Sequence, residues 1–389
     1  MRRKTGGTEE DRELMRGLFR LKEESSRAAR LIEDLQSGAR TRESLTAQEQ
    51  EVMEGAPSIE FLILRSFSLR YSDPEGMLRC SMLAVRLADS LSPERYGLKL
   101  LADLKAKAWG YLANAYRITD QLGAAEEGFV KAIAYLQMGS GAPHIKTLIG
   151  EMFAALVRDQ RRFSLAAELL EALLSYYRET GDEEAFTRTL LSRAIVAGQD
   201  NNPEDAIRWL AGVLRYLPHE SDLKLSTIHE LTINLIDAGY PAEAEAVLKK
   251  HVRLYRRSGK LNVLRRFWLQ GRIAAALGNS RRAEGDLHVA RLGFRKAGQH
   301  YDAALVSLDL ALIYARAGQR TSTIRLVDEM VRTFRELGIA REAIASLLLL
   351  RKYCDRHWNP ETICAQIETI ALMVTELGRR QERRRSPSA

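Results

Sequence analysis

No two cysteines in this chain stand at a metal-binding or redox spacing. The three present, Cys80, Cys354 and Cys364, suggest neither a disulfide framework nor a metal site, and a reduced, intracellular setting fits them best. Long apolar runs are missing as well. None approaches the ~20 residues that a membrane-spanning helix needs. The N-terminus begins Met-Arg-Arg-Lys but turns acidic at T-G-G-T-E-E-D-R-E, where a signal peptide would turn apolar, so a cytoplasmic protein is expected. Gly139-Ser140-Gly141 lacks the lysine that phosphate-cradling loops use, and His229-Glu230 has no second histidine at metal-binding spacing. No nucleophile, acid–base pair or metal set stands in a defined context. The expectation is a protein without enzymatic activity, cofactor or metal.

What is present is material for packed amphipathic helices, with 46% hydrophobic and 28% charged residues. Prolines number only 9, and several sit where helices begin. Lys and Arg total 59 against 51 Asp and Glu, a net charge of +8, which permits an acidic partner without demanding one.

The chain is organised around residues 108–132. Trp109, Leu112 and Tyr116 recur at spacings of three and four, one face of a helix. After a break at Asp120–Gly123, small Ala125, bulky Phe129 and small Ala132 share one face of a second helix. Alternating large and small contacts let two short helices pack closely and antiparallel. The stretch resembles a tetratricopeptide repeat (TPR) of the long-period, roughly 40-residue bacterial type, with Ala113 where that family has glycine.

Repetition extends this reading along the chain. Anchors equivalent to Ala125 follow at Ala166, Ala206, Ala244, Ala283, Thr323 and Ile363, with Met77 preceding. Asp73-Pro74-Glu75 recurs as Asn202-Pro203-Glu204 and Asn359-Pro360-Glu361, a helix-start signal of cap, first-turn proline and dipole-matched acid. Tyr177–Gly181, Tyr255–Gly259, Phe294–Gly298 and Phe334–Gly338 share a helix-end signal, an aromatic followed by glycine. The resemblance implies an all-α fold, a right-handed superhelix of about eight helical hairpins over 58–378. Residues 1–57 then form an N-terminal cap or arm with a linker, and 379–389 a disordered Arg-rich tail. In the first helix Leu14, Leu18, Leu21, Ser25, Ala28, Ile32 and Leu35 form a heptad seam with a weak middle. It reads as a coiled-coil arm or as a helix folded over the first repeat, and the weak middle favours the cap.

In such proteins the first helix of each pair lines a concave groove that holds extended peptides or partner helices. The register carries those positions onto Lys107, Asn114 and Arg117, then Arg158, Arg188 and His229, and finally Arg265, Trp268 and Arg272. Asn114 matches the groove asparagine that family members use on a ligand backbone. The companion asparagine and lysine of the family's carboxylate clamp are absent. Guanidinium groups bind carboxylates bidentately and an indole offers a stacking face. The leading expectation is therefore a protein–protein interaction scaffold that takes a peptide or protein segment, an acidic one by the charge of these positions. Similar long-helix arrays occur in bacterial signalling-peptide receptors and some transcription regulators, which makes a regulatory sensor the alternative. Nucleic-acid binding through the basic surface and tail is the weakest of the three.

Overall fold

The computed structural model describes residues 9–36, 39–70, 73–119, 121–217 and 221–337, and beyond them 347–348, 350–351, 354 and 358–371. Among the described residues every regular element is helical. The expected tail at 379–389 lies outside them. The chain divides into two compact units, one reaching Leu165 and the other starting at Ala166.

The first unit opens with α1 (Glu9–Gln36), a short 3-10 turn and α2 (Ala47–Met53). A hairpin of α3 (Ala56–Leu69) and α4 (Pro74–Ser90) follows, then the single turn α5 (Pro93–Tyr96). A longer hairpin of α6 (Leu98–Ile118) and α7 (Leu122–Met138) comes next, then α8 (Pro143–Asp159). Gly55-Ala56-Pro57 reads as a stop for the preceding helix, and α2 does end before it, but the same residues also start α3. Gly55 is the N-cap, and proline sits in the first turn, where its missing N–H costs nothing.

The helix α1 lies across α3, α5 and α6, which makes it a cap. Its Glu24 is almost fully buried, accepting a 2.6 Å hydrogen bond from the Tyr96 hydroxyl and pairing with Arg95 at 2.5 Å. Leu14 joins Ala56, Tyr96, Leu100 and Leu104 in one apolar cluster, and Ala28 joins Leu31, Leu45 and Val52 in another. Of the expected seam Leu18 is exposed, and the side chains of Leu21, Ile32 and Leu35 lie outside the described residues.

The division between the units falls inside α9 (Phe163–Thr180). The second unit stacks three complete hairpins and a fourth whose second helix is split. In order they are α10 (Glu183–Gln199) with α11 (Pro203–Tyr216), and α12 (Asp222–Asp237) with α13 (Pro241–Lys250) and α14 (Val252–Arg257). Next come α15 (Lys260–Ala276) with α16 (Ser280–Lys296), and α17 (His300–Arg316) with α18 (Arg320–Leu337). A further helix covers 360–371.

The repeat grammar is realised in detail. Met77, Ala125, Ala166, Ala206, Ala244, Ala283, Thr323 and Ile363 are all fully buried. Asp73 Oδ1 accepts from Gly76 N at 2.8 Å, Asn202 Oδ1 from Asp205 N at 3.3 Å, and Asn359 Oδ1 from Glu361 N at 3.0 Å. Each relieves a backbone N–H that has no partner inside its helix. Tyr255 and Phe294 are buried, and the glycines that close their turns, Gly259 and Gly298, sit at φ 95° and 73°, where a Cβ would be strained.

The odd alanine of the organising hairpin has a physical reason. A Cβ added at Gly128 of α7 would lie 2.9 Å from Ala113 Cβ. The methyl group therefore stands on α6, and the glycine that makes room for it stands on the facing helix. The hairpin of α15 and α16 keeps the family arrangement, with Gly271 on the first helix and a Cβ there only 2.5 Å from Leu287 Cγ.

Candidate functional site

The first-helix wall of the first unit is held by charges that reach one helix pair along. Lys107 on α6 donates to Glu60 on α3. Arg117 Nη1 donates to Asp159 Oδ2 on α8 at 2.6 Å, while its Nε and Nη2 donate to Asn114 Oδ1 at 3.0 and 2.9 Å. Arg158 completes the group by donating Nη2 to Asp159 Oδ1 at 2.8 Å. Three expected site residues thus meet around a carboxylate that sequence reasoning missed. Asn114 and Arg117 are buried, at 4% and 9% exposure, so their polar atoms serve this network before any ligand. Asp159 is the last residue of α8, where a negative charge opposes the helix dipole. Two guanidinium groups offset that penalty.

The second unit repeats the device. Asp237, the last residue of α12, accepts from Arg272 Nη2 of α15 at 2.8 Å. Trp268 Nε1 donates to Asp309 Oδ2 of α17 at 2.5 Å, and the indole packs edge-on against Phe294 with ring centres 6.2 Å apart. Burial pushes the Asp309 carboxyl above the usual range, against the opposing pull of Arg272 and the Trp268 hydrogen bond. Arg272, Trp268, Asp237 and Asp309 therefore belong together. The other three stand apart: Arg188 pairs with Glu184 of its own helix at 2.6 Å, Arg265 reaches Asn262 at 3.3 Å, and His229 Nδ1 lies 3.4 Å from the Tyr255 hydroxyl.

The signal that could have revealed Asp159 and Asp237 is positional, since both end first helices at the same place in their repeats. Among the described residues no group of three or more His, Cys, Asp or Glu side chains could hold a metal ion. No described helix is long and apolar enough to cross a membrane.

No protein-family model and no curated protein matches this chain. Solved structures do. A Rap protein complexed with competence and sporulation factor aligns at 14% identity over 85% of this chain and 92% of its own, with a TM-score of 0.58. The apo form of the quorum sensor NprR from B. thuringiensis aligns at 13% identity over 89% of this chain and 98% of its own, with a TM-score of 0.57. Both are TPR-type helical-repeat structures. The chain has a TPR-like fold. At such identities the likeness speaks for the fold alone, and within it the TPR-like anchors and turns described above account for the match.

Proposed function

We propose that this TPR-like chain is a non-enzymatic interaction scaffold, cytoplasmic, that holds a peptide or protein segment along its first helices. What supports the reading is the wall of α12, α15 and α17, where polar side chains are fixed by one another. Trp268 and Arg272 are each locked by a carboxylate from the neighbouring hairpin. Side chains already ordered lose little entropy when a ligand arrives, which favours affinity. The same pairing refines the expected preference for acidic partners. An incoming carboxylate displaces Asp237 from Arg272 instead of meeting a free cation. The ligand is therefore selected by exchange of hydrogen bonds, and net negative charge alone does not suffice.

The scaffold reading is tested by affinity capture from a cell extract with wild type and an Arg265→Glu/Arg272→Glu variant. Recovery of the captured partner should fall about tenfold, ~1.4 kcal/mol. Equal recovery would remove the second unit's wall from the account. The crystal of a Rap protein with a bound factor and the match to a quorum sensor favour a sensor as the second reading. In that version occupancy changes the amide-exchange protection of α1, and unchanged protection leaves the scaffold.

A further inference from the structure

A different surface carries an inference independent of the groove. Between Ala246 and Ala283 the chain has eleven Lys and Arg and no Asp or Glu, and eight of them remain once the groove positions Arg265 and Arg272 and the buried Arg266 are set aside. The stretch ends one second helix, turns, and runs through the next hairpin's first helix. Its densest part is the α14–α15 turn, where every exposed side chain from 253 to 260 is cationic. Arg253, Arg256 and Lys260 have no carboxylate within ion-pair distance among the described residues.

The repeat grammar carries this charge along one edge of the second unit. Arg256 stands twelve residues after its anchor Ala244, and Arg295 and Arg335 stand twelve after Ala283 and Thr323. Arg253 and Arg332 likewise share the position nine residues after theirs. Second helices of stacked hairpins run parallel, so these ends lie side by side. Arg295, His300, Ser307, Glu329 and Arg332 meet around a shallow depression of about 350 Å³. Only one carboxylate, Glu329, is among them, already shared between Arg291 at 2.5 Å and Arg295 at 3.0 Å. The crowding reaches inward, where burial and then Arg256 hold the Arg266 guanidinium below its ordinary pKa.

We infer that this basic edge, running from the α14–α15 turn past the α16–α17 turn to the end of α18, binds the phosphodiester backbone of a nucleic acid. Three features favour that partner. The exposed charge is mostly arginine, whose planar fork matches phosphate oxygens. The apolar residues of the turns, Leu254, Tyr255 and Phe294, are buried in the core. A protein interface would need such residues as anchors, and a membrane-inserting edge would present them at its tips. A row of cations interrupted only at α16, where Leu292 takes the place of Arg253 and Arg332 and is exposed with Val289, fits a row of phosphates, held without reading of base sequence.

The test is fluorescence anisotropy of the full-length protein with a labelled 30-base-pair duplex DNA and a single-stranded RNA of equal length. Affinity should fall steeply with salt, with a log–log slope of about −5 for six phosphate contacts on the duplex. An Arg253→Glu/Arg256→Glu/Lys260→Glu variant should bind at least about tenfold more weakly, with the slope reduced by about 3. Its circular-dichroism melt should match wild type, because all three side chains are exposed. The milder triple Gln variant should fall between the two. A control reversing Arg79, Arg188 and Arg208 should bind like wild type. No binding to either probe at low salt, a flat salt response, or a triple variant that binds like wild type would each overturn the inference. So would equal retention of poly-glutamate or of phosphatidylserine vesicles, which would replace the nucleic acid by an acidic protein or a membrane. Groove variants such as Arg265→Glu/Arg272→Glu leave the edge intact, so failure here is distinguishable from failure of the scaffold reading.

Discussion

The hairpins of α6–α7 and α15–α16 solve one packing problem in opposite ways. Both need two helices to approach closely beside a buried anchor, Ala125 or Ala283. In the first, α6 keeps a methyl group at Ala113 and α7 gives up its own at Gly128. In the second, α15 gives up its Cβ at Gly271 and α16 fills the space with Leu287. What the contact fixes is the summed volume of facing side chains, so the family glycine can migrate across the interface without loss of the fold.

The sharpest way to break this comparison is to overfill the anchor that both share. Ala283→Glu buries an unpaired carboxylate in a full site and should cost several kcal/mol, on the order of 3–5. A thermal melt coinciding with wild type would mean that the anchor register is wrong. The walls differ next. Arg117 is buried against Asp159, with side-chain exposures of 8% and 15%, whereas Arg272 and Asp237 stand at 27% and 47%. Arg117→Ala leaves Asp159 to Arg158 alone and removes both guanidinium donors from the buried Asn114 Oδ1, and should cost about 3 kcal/mol. Arg272→Ala should cost about 1 kcal/mol or less. Urea denaturation of the two variants side by side measures the gap, and equal midpoints would contradict it.

The glycine migration itself is tested by a swap. Gly128→Ala should destabilise by roughly 1–3 kcal/mol through overpacking. Adding Ala113→Gly should restore most of that loss in a calorimetric melt. The smallest expected effect concerns pH. The raised pKa of Asp309 means that the stability associated with its neutral carboxyl is present at low pH and lost as pH rises through that pKa. Asparagine stays neutral and can still accept from Trp268. Asp309→Asn should therefore gain stability relative to wild type as pH rises above the ordinary carboxylate range and through the raised pKa of Asp309. A difference constant with pH would show that the Asp309 charge is not the cause.

The anchors, caps and turn glycines were legible because each is a short-range demand on residue type. Asp73, Asn202 and Asn359 announce helix starts from their own neighbours, and from Ala125 onward the buried anchors repeat at a nearly constant step. Packing of α1 as a cap was legible from the gap in its seam at Ser25. The wall was only half legible. Arg117, Arg158, Trp268 and Arg272 follow from register, but their carboxylates lie 35–47 residues away for Lys107, Arg117, Trp268 and Arg272. That distance is about one repeat, too far for periodicity within a helix to report. The basic edge was diluted in the same way, since a net charge of +8 averages one acid-free stretch with a balanced remainder.

The end-of-helix carboxylates have a consequence for how such a chain can change its length. Excising α12 to α14 in frame would join α11 to α15 with anchors still in step, yet it would remove Asp237 and leave Arg272 to be satisfied by a stranger. Duplicating the same block would strand a second Asp237 at a helix C-terminus opposite whatever the copied α12 supplies. The hairpins are alike in shape but not interchangeable in order, so gain or loss of a unit by recombination must be followed by substitutions at its borders.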